Sequence, residues 1–189
     1  MKKLFVAGLC ILTICSCTNT ENQISQYDLE MRFDRAQLQM DCKMHVKWYN
    51  SSNKEVREIP FHFQLDSTKT LIKHFIVNNQ QVNIEFASKE THDFEGFIVK
   101  LIEPIRENEY VNIEIDFKTN RKEYYRDRIL FFSEDIPLIP YFKEGEFIYY
   151  FQVHSNYHVN ITYPSDFEIA TTGFVKDKTS QNNLITIQT

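Results

Sequence analysis

From Leu38 to Trp48 every second residue is apolar. Leu38, Met40, Cys42, Met44, Val46 and Trp48 alternate with Gln39, Asp41, Lys43, His45 and Lys47. A helix would spread these six side chains around its surface, whereas a strand puts them on one face. The same period of two runs through Tyr27, Leu29, Met31 and Phe33, and through Ile59, Phe61, Phe63 and Leu65. It returns in Phe97, Val99 and Leu101, in Val111, Ile113, Ile115 and Phe117, and in Tyr157, Val159, Ile161 and Tyr163. Phe167 and Ile169 follow in the same alternation.

Turn signals punctuate these runs. YNSSNKE (49–55) is polar. Asn78-Asn79 joins Ile76-Val77 to Val82-Ile84-Phe86 as an expected hairpin, because Asn tolerates positive φ. Val175, then DKTSQNN, then Leu184 to Ile187 reads as a last hairpin. No window of ten or more residues carries a helical stripe. The expected class is therefore all-β, an antiparallel β-sandwich of several short strands behind a long N-terminal ribbon. Residues 119–151 interrupt the pattern: they are aromatic-rich, hold Pro137 and Pro140, and read as an irregular connection with one or two short strands.

The N-terminus has a different character. Lys2 and Lys3 precede an eleven-residue apolar run, Leu4 to Ile14, long enough for a signal sequence and too short to span about 30 Å of hydrocarbon. The run ends in I-C-S-C, which resembles a bacterial lipobox with Cys17 as the acylated residue; Cys15, behind the bulky Ile14, is the weaker choice. An ordinary secretory signal and an uncleaved anchor are the alternatives. The expected organisation is a signal peptide over 1–16, a polar tether over 17–26 and one β-domain over 27–189. The expected location is the bacterial cell envelope, with membrane attachment through the lipid. The four Cys are Cys10, Cys15, Cys17 and Cys42, so with residues 1–16 removed and Cys17 acylated the mature chain is expected to keep one free thiol, Cys42, and no internal disulfide. Loss of residues 1–16 takes the net charge from −5 to −7, and no basic stripe points to nucleic acid.

In HSNYH (154–158) two His stand four apart, the spacing that on a helix puts both on one zinc ion. Here Ser155 stands where that motif has Glu, and the segment reads as strand or turn; a strand separates the two His by about 13 Å, and a local turn brings them closer. His45 and His62 fall on polar strand faces, and His74 and His92 read as surface residues. Glu134-Asp135 are adjacent carboxylates that point apart on an extended chain. No catalytic residue and no metal ligand is assigned. Asn50-Ser51-Ser52 and Asn160-Ile161-Thr162 match the glycosylation sequon, read as chance in a bacterial chain. The aromatic residues Tyr124, Tyr125, Phe131, Phe132, Tyr141 and Phe142 are candidates for an interface, with core filling as the alternative.

Three stretches together carry a resemblance. YDLEMRFDRAQLQMDCKMHVKWYNSS, EIPFHFQLDSTKTLIKHFIVNNQQV and YHVNITYPSDFEIATTG, in that order, are similar to the N-terminal domain of the membrane alanyl aminopeptidase family. Its members are zinc metallopeptidases with an HExxH motif. The resemblance covers roughly residues 27–189 and rests on pattern and order. It implies a saddle-like β-sandwich, expected to stop short of that domain's last strands. It also implies that zinc and catalysis belong to a second, helical domain. Neither HExxH nor the family's GxMEN loop occurs in this chain. In LIPYFKEG (138–145), Lys143 stands where the family has Asp. The expectation is a non-catalytic accessory domain that packs against an absent catalytic domain, with no cofactor of its own. The alternative is a free-standing lipoprotein sandwich that binds a protein or glycan. Expected partners are the membrane and either such a catalytic domain or another envelope protein.

Overall fold

The computed structural model describes residues 24–62, 70–87, 96–120, 125–126, 129–130, 137–143, 146–152, 155–169 and 174–189. Cys17, His92, Glu134, Asp135 and His154 lie outside them.

The alternating segments pair as their patterns require. β1 (Ser25–Asp34) and β2 (Gln39–Tyr49) form the long ribbon, in antiparallel register from Gln26↔Lys47 to Asp34↔Gln39. The strand thus begins at Ser25, two residues before the expected start. Leu38 is not on the strand face: it sits in the turn at φ 50°, where Asp34 Oδ1 accepts the N–H groups of Ala36 (2.8 Å) and Gln37 (3.2 Å). β8 (Tyr110–Asn120) runs antiparallel along the whole of β2. β4 (Thr70–Val77) pairs with β8, and β5 (Gln80–Gln81) folds back on β4 across Asn78 and Asn79, at φ 48° and 65°.

On the other side of β1 lies β13 (Ser155–Pro164), in a parallel pairing that runs from Ser25↔Ser155 to Arg32↔Thr162. β16 (Leu184–Gln188) and β15 (Asp177–Gln181) complete an eight-stranded sheet of order β15-β16-β13-β1-β2-β8-β4-β5. The last hairpin differs from expectation in its first arm. DKTSQ is a strand, and the turn is only Asn182-Asn183, at φ 51° and 61°. Every residue of β15 is exposed, so it has no buried face to leave a period-two signature.

A second sheet packs under the first. It has the order β3-β7-β6, with β3 (Val56–His62), β7 (Gly96–Ile105) and β6 (Ile84–Ala87). Ile84–Ala87 was expected to fold back on Ile76-Val77; instead the chain crosses to the second sheet after Gln81, and Phe86 is left 60% exposed on its edge. Phe61 and Phe97 stack at 4.9 Å across β3 and β7, and both meet Phe75 of β4 edge-on at 5.4 Å. The inward faces of β1, β2 and β8 supply most of the core, including Leu29, Met40, Met44, Val46, Ile113 and Ile115. Each fully buried side chain of this kind contributes about 1.5–3 kcal/mol.

Residues 119–151 hold more strands than expected. Thr119 and Asn120 end β8, followed by β9 (Tyr125–Arg126), β10 (Ile129–Leu130), β11 (Pro140–Lys143) and β12 (Glu146–Gln152). β11 pairs with β12, while β9 and β10 join β14 (Glu168–Ile169) in a small sheet. Leu138 bridges to the main body: its N–H donates to His62 O at 3.0 Å and its O accepts from His62 N at 2.8 Å. Among the described residues the fold is all-β and predominantly antiparallel, as the periodicity predicts.

Candidate functional site

The strand register that buries one face of the main sheet lays out the other as an ordered array of polar side chains. Across β13, β1, β2 and β8 three successive rows read His158, Asp28, His45, Glu114; then Asn160, Glu30, Lys43, Asp116; then Thr162, Arg32, Asp41, Lys118. Opposite charges thus stand directly across from each other at several positions, the arrangement that stabilises strand pairing.

The third row is modified by β4. Its register against β8 shifts between Ile72 and His74, and the extra residue, Lys73, is aimed onto the outer face. Lys73 Nζ lies 3.0 Å from Asp41 Oδ1, and Lys118 Nζ reaches the same oxygen at 3.1 Å. Partial burial pushes the Asp41 carboxyl upward, but hydrogen bonds and charge from Lys73 and Lys118 outweigh it and hold the group below the usual carboxylate range. The side chain of Arg32, directly opposite Asp41, makes no ion pair or hydrogen bond among the described residues. Around these residues the sheet forms an open trough of about 400 Å³, lined by Glu30, Arg32, Asp41, Lys43, Lys73 and Asp116.

Of the two histidines of HSNYH, His154 lies outside the described residues and His158 is placed. Ser155 to His158 belong to β13, and His158 Nδ1 lies 2.9 Å from Asp28 Oδ1 on the exposed face. Among the described residues no group of three or more His, Cys, Asp and Glu side chains stands placed to hold a metal ion. Cys42 is buried on the inner face of β2. Asn50 of the first sequon is wholly buried: its Nδ2 donates to the carbonyls of Lys54 (2.8 Å), Arg106 (3.1 Å) and Ile105 (3.3 Å). It is a turn-building residue and offers no free amide. Asn160 lies within β13, partly buried beside Glu30.

The aromatic interface candidates are only partly placed. Tyr124, Phe131 and Phe132 lie outside the described residues; Tyr125 falls in β9 and Tyr141 and Phe142 in β11, described in backbone only. Large apolar side chains are exposed at other places on the described surface. Among the described residues they are Leu71, Phe86, Ile102, Tyr157, Val175 and Phe174, the last 92% exposed. The outer-face trough was not foreseen. Its signal is in the sequence, as charged residues on the solvent face of four strands, but the order in which those strands pair is not.

No family model matches the chain, and no curated protein sequence matches it. Solved structures do. A mutant M1 zinc metallopeptidase from Deinococcus radiodurans, bound to a Tyr-Ser-Ala substrate, superposes with a TM-score of 0.55 at 14% identity. The unmutated enzyme from the same organism gives 0.52 at 15% identity, and a two-domain M1 zinc metallopeptidase mutant bound to L-arginine gives 0.53 at 16%. Each match covers 88% of this chain and 38% of the metallopeptidase chain, so this chain spans well under half their length. At such identities the likeness is one of fold. This chain shares its fold with one portion of M1 zinc metallopeptidases, the kind of enzyme whose N-terminal domain the sequence resembles.

Proposed function

We propose that this chain is the non-catalytic accessory β-domain of a metallopeptidase-like envelope lipoprotein. It packs against a zinc-bearing catalytic domain whose HExxH and GxMEN motifs are not in these 189 residues. The observation that carries the reading is the match of nearly the whole chain to 38% of a zinc metallopeptidase. The exposed Phe174 and Val175 support a surface that is covered in the working protein. In this reading the domain walls the substrate cleft and contributes no reacting group. Cys17, acylated after removal of residues 1–16, anchors it to a membrane leaflet.

A second reading, a free-standing lipoprotein sandwich that binds a protein or glycan, draws support from β15. That edge strand is wholly polar and exposed, as edge strands that avoid association are.

The test is isolation of the tagged full chain from the envelope of its host. Aminopeptidase activity and zinc are measured on the isolate, and activity of the purified chain alone is measured beside it. Activity and zinc in the isolate, with none in the chain alone, is the expected result. An isolate without peptidase activity contradicts the accessory role and leaves the second reading. A Cys17→Ser variant that stays in the membrane fraction contradicts the lipid anchor separately.

A further inference from the structure

β1, β13 and β15 run in one direction: β13 is parallel to β1, and β15 returns to that direction through the antiparallel β16. The chain therefore enters all three strands from the same end of the sheet. Three of the large apolar side chains exposed among the described residues belong to that end. Tyr157 is the third residue of β13 and is 40% exposed. Phe174 and Val175 lead into β15, at 92% and 50%. The backbone behind them is held in place, because Lys176 N–H donates to Gln188 O at 2.7 Å. Every residue from 174 to 183 is exposed, so no described part of the domain covers the apolar pair.

Two lysines follow the apolar pair. The ammonium groups of Lys176 and Lys178 make no ion pair among the described residues. Lys178 stands opposite Ile187, whereas Asp177 between the lysines turns to the other side of the strand. At the same end His158 is paired with Asp28. Glu107 and Glu109 precede β8, five strands from β15 in the sheet order, or about 24 Å away. The β15 corner is thus apolar and basic. That combination fits a lipid surface with anionic headgroups. The position of the N-terminus agrees. Cys17, the expected point of acylation, stands eight residues before Ser25, so the chain between them spans at most about 28 Å. β15 lies three strands from β1, about 14 Å, well within that reach.

We propose that this corner lies on the membrane leaflet that holds the anchor. Phe174 and Val175 enter the headgroup region, Tyr157 borders it, and Lys176 and Lys178 meet anionic headgroups. A lipid on a flexible tether leaves the domain free to turn. A second contact at the β15 corner fixes which face of the sandwich looks away from the membrane. The proposal rests on the lipid anchor at Cys17 and not on the peptidase partner.

The experiment uses tryptophan as a depth reporter. The sequence holds one Trp, Trp48, which is buried, so the parent supplies a constant background. The full acylated chain is reconstituted into phosphatidylcholine vesicles, with and without phosphatidylglycerol, and vesicle flotation is recorded. Phosphatidylcholine brominated in its acyl chains then serves as the quencher. In Phe174→Trp the added emission shifts to the blue on vesicles and is quenched, more strongly with phosphatidylglycerol present. Lys176→Gln combined with Lys178→Gln removes that difference. Leu71→Trp, exposed on β4 at the far side of the sheet, is not quenched. Unchanged Trp48 emission and matching thermal melts establish that each variant is folded. A floated chain whose Phe174→Trp stays unquenched overturns the proposal, keeps the anchor, and leaves a protein partner to cover the corner. Equal quenching of Leu71→Trp overturns it too, since contact is then indiscriminate. Quenching that ignores phosphatidylglycerol overturns the role of the two lysines. A chain that does not float contradicts the anchor, and the proposal falls with it.

Discussion

Tyr27 and Tyr157 face each other across the parallel β1–β13 pair, their ring centroids 4.9 Å apart and their planes 18° apart. Tyr27 is 2% exposed, and its hydroxyl oxygen accepts the buried N–H of Ile139 at 3.4 Å. The stack therefore joins the ribbon, the β13 strand and the segment leading into β11. Tyr27→Phe keeps the stack but orphans the Ile139 N–H, at a cost of about 1–3 kcal/mol. Tyr27→Ala removes the ring as well and costs about 3–5 kcal/mol. Urea denaturation followed by fluorescence distinguishes the two.

The same tyrosine makes the fold sensitive to alkali. Burial, then the neighbouring Tyr157, push the Tyr27 hydroxyl well above the ordinary tyrosine range, against a weaker downward effect of the Ile139 hydrogen bond. Burial raises Tyr157 and Tyr163 too. A raised folded-state pKa means that the unfolded chain gives up its proton first. The stability these groups contribute is full below pH ~10 and is lost as pH climbs through their folded values. Thermal melts between neutral pH and pH ~11 are expected to show falling stability, with a shallower fall in Tyr27→Phe.

Within the second sheet, the β3 backbone leaves no room for a side chain at the start of β7. A Cβ on Gly96 would collide with the backbone carbonyl of Phe61 on β3, which cannot move without breaking the β3–β7 pairing. Gly96→Ala is expected to cost about 1–3 kcal/mol by overpacking, and Phe61→Ala about 3–5 kcal/mol by cavity formation. Trp48→Ala, on the inner face of β2, falls in the same range as Phe61→Ala. Chemical denaturation midpoints of the three variants against the parent check these magnitudes.

On the outer face the expected effects are small. Asp41 has a depressed folded-state pKa, so its contribution is present above the ordinary carboxylate range and lost as pH falls through the folded value. The group is partly solvated, so Asp41→Asn costs less than about 1 kcal/mol near neutral pH and nothing in strong acid. A pH series of melts on the two proteins converges at the acid end if this is correct.

Asn50 ties the turn after β2 to the turn before β8. Its Nδ2 reaches three carbonyls, while its Oδ1 accepts from Ser52 Oγ at 2.7 Å and Ser52 N at 3.1 Å. Asn50→Ala leaves these buried groups unpaired and is expected to destabilise by about 1–3 kcal/mol. Expression in a glycosylating host is expected to leave Asn50 unmodified, which peptide mass mapping reads directly.

The inner faces of β1, β2 and β8 were legible because each strand has one buried and one solvated side. Where that contrast is missing, the sequence is silent. Asp177–Gln181 is exposed on both faces, so it reads as turn and becomes strand only through its pairing with β16. Val82 to Phe86 reads as a strand but carries no sign of which sheet receives it; the answer depends on distant residues of β7. The parallel β1–β13 contact, with Arg32 beside Thr162, depends likewise on strand order, set by packing across 130 residues of chain. The resemblance to an aminopeptidase domain survived because it rests on the order of strands and turns, which the fold preserves at 14% identity.

The central claim is that this β-domain works beside a zinc catalytic domain. Native mass spectrometry of the protein isolated from its own envelope, with zinc counted on the same sample, tests it most directly. The account predicts a species well above the 22.6 kDa of this chain, holding zinc. A species near the mass of the acylated chain alone, without zinc, would contradict it.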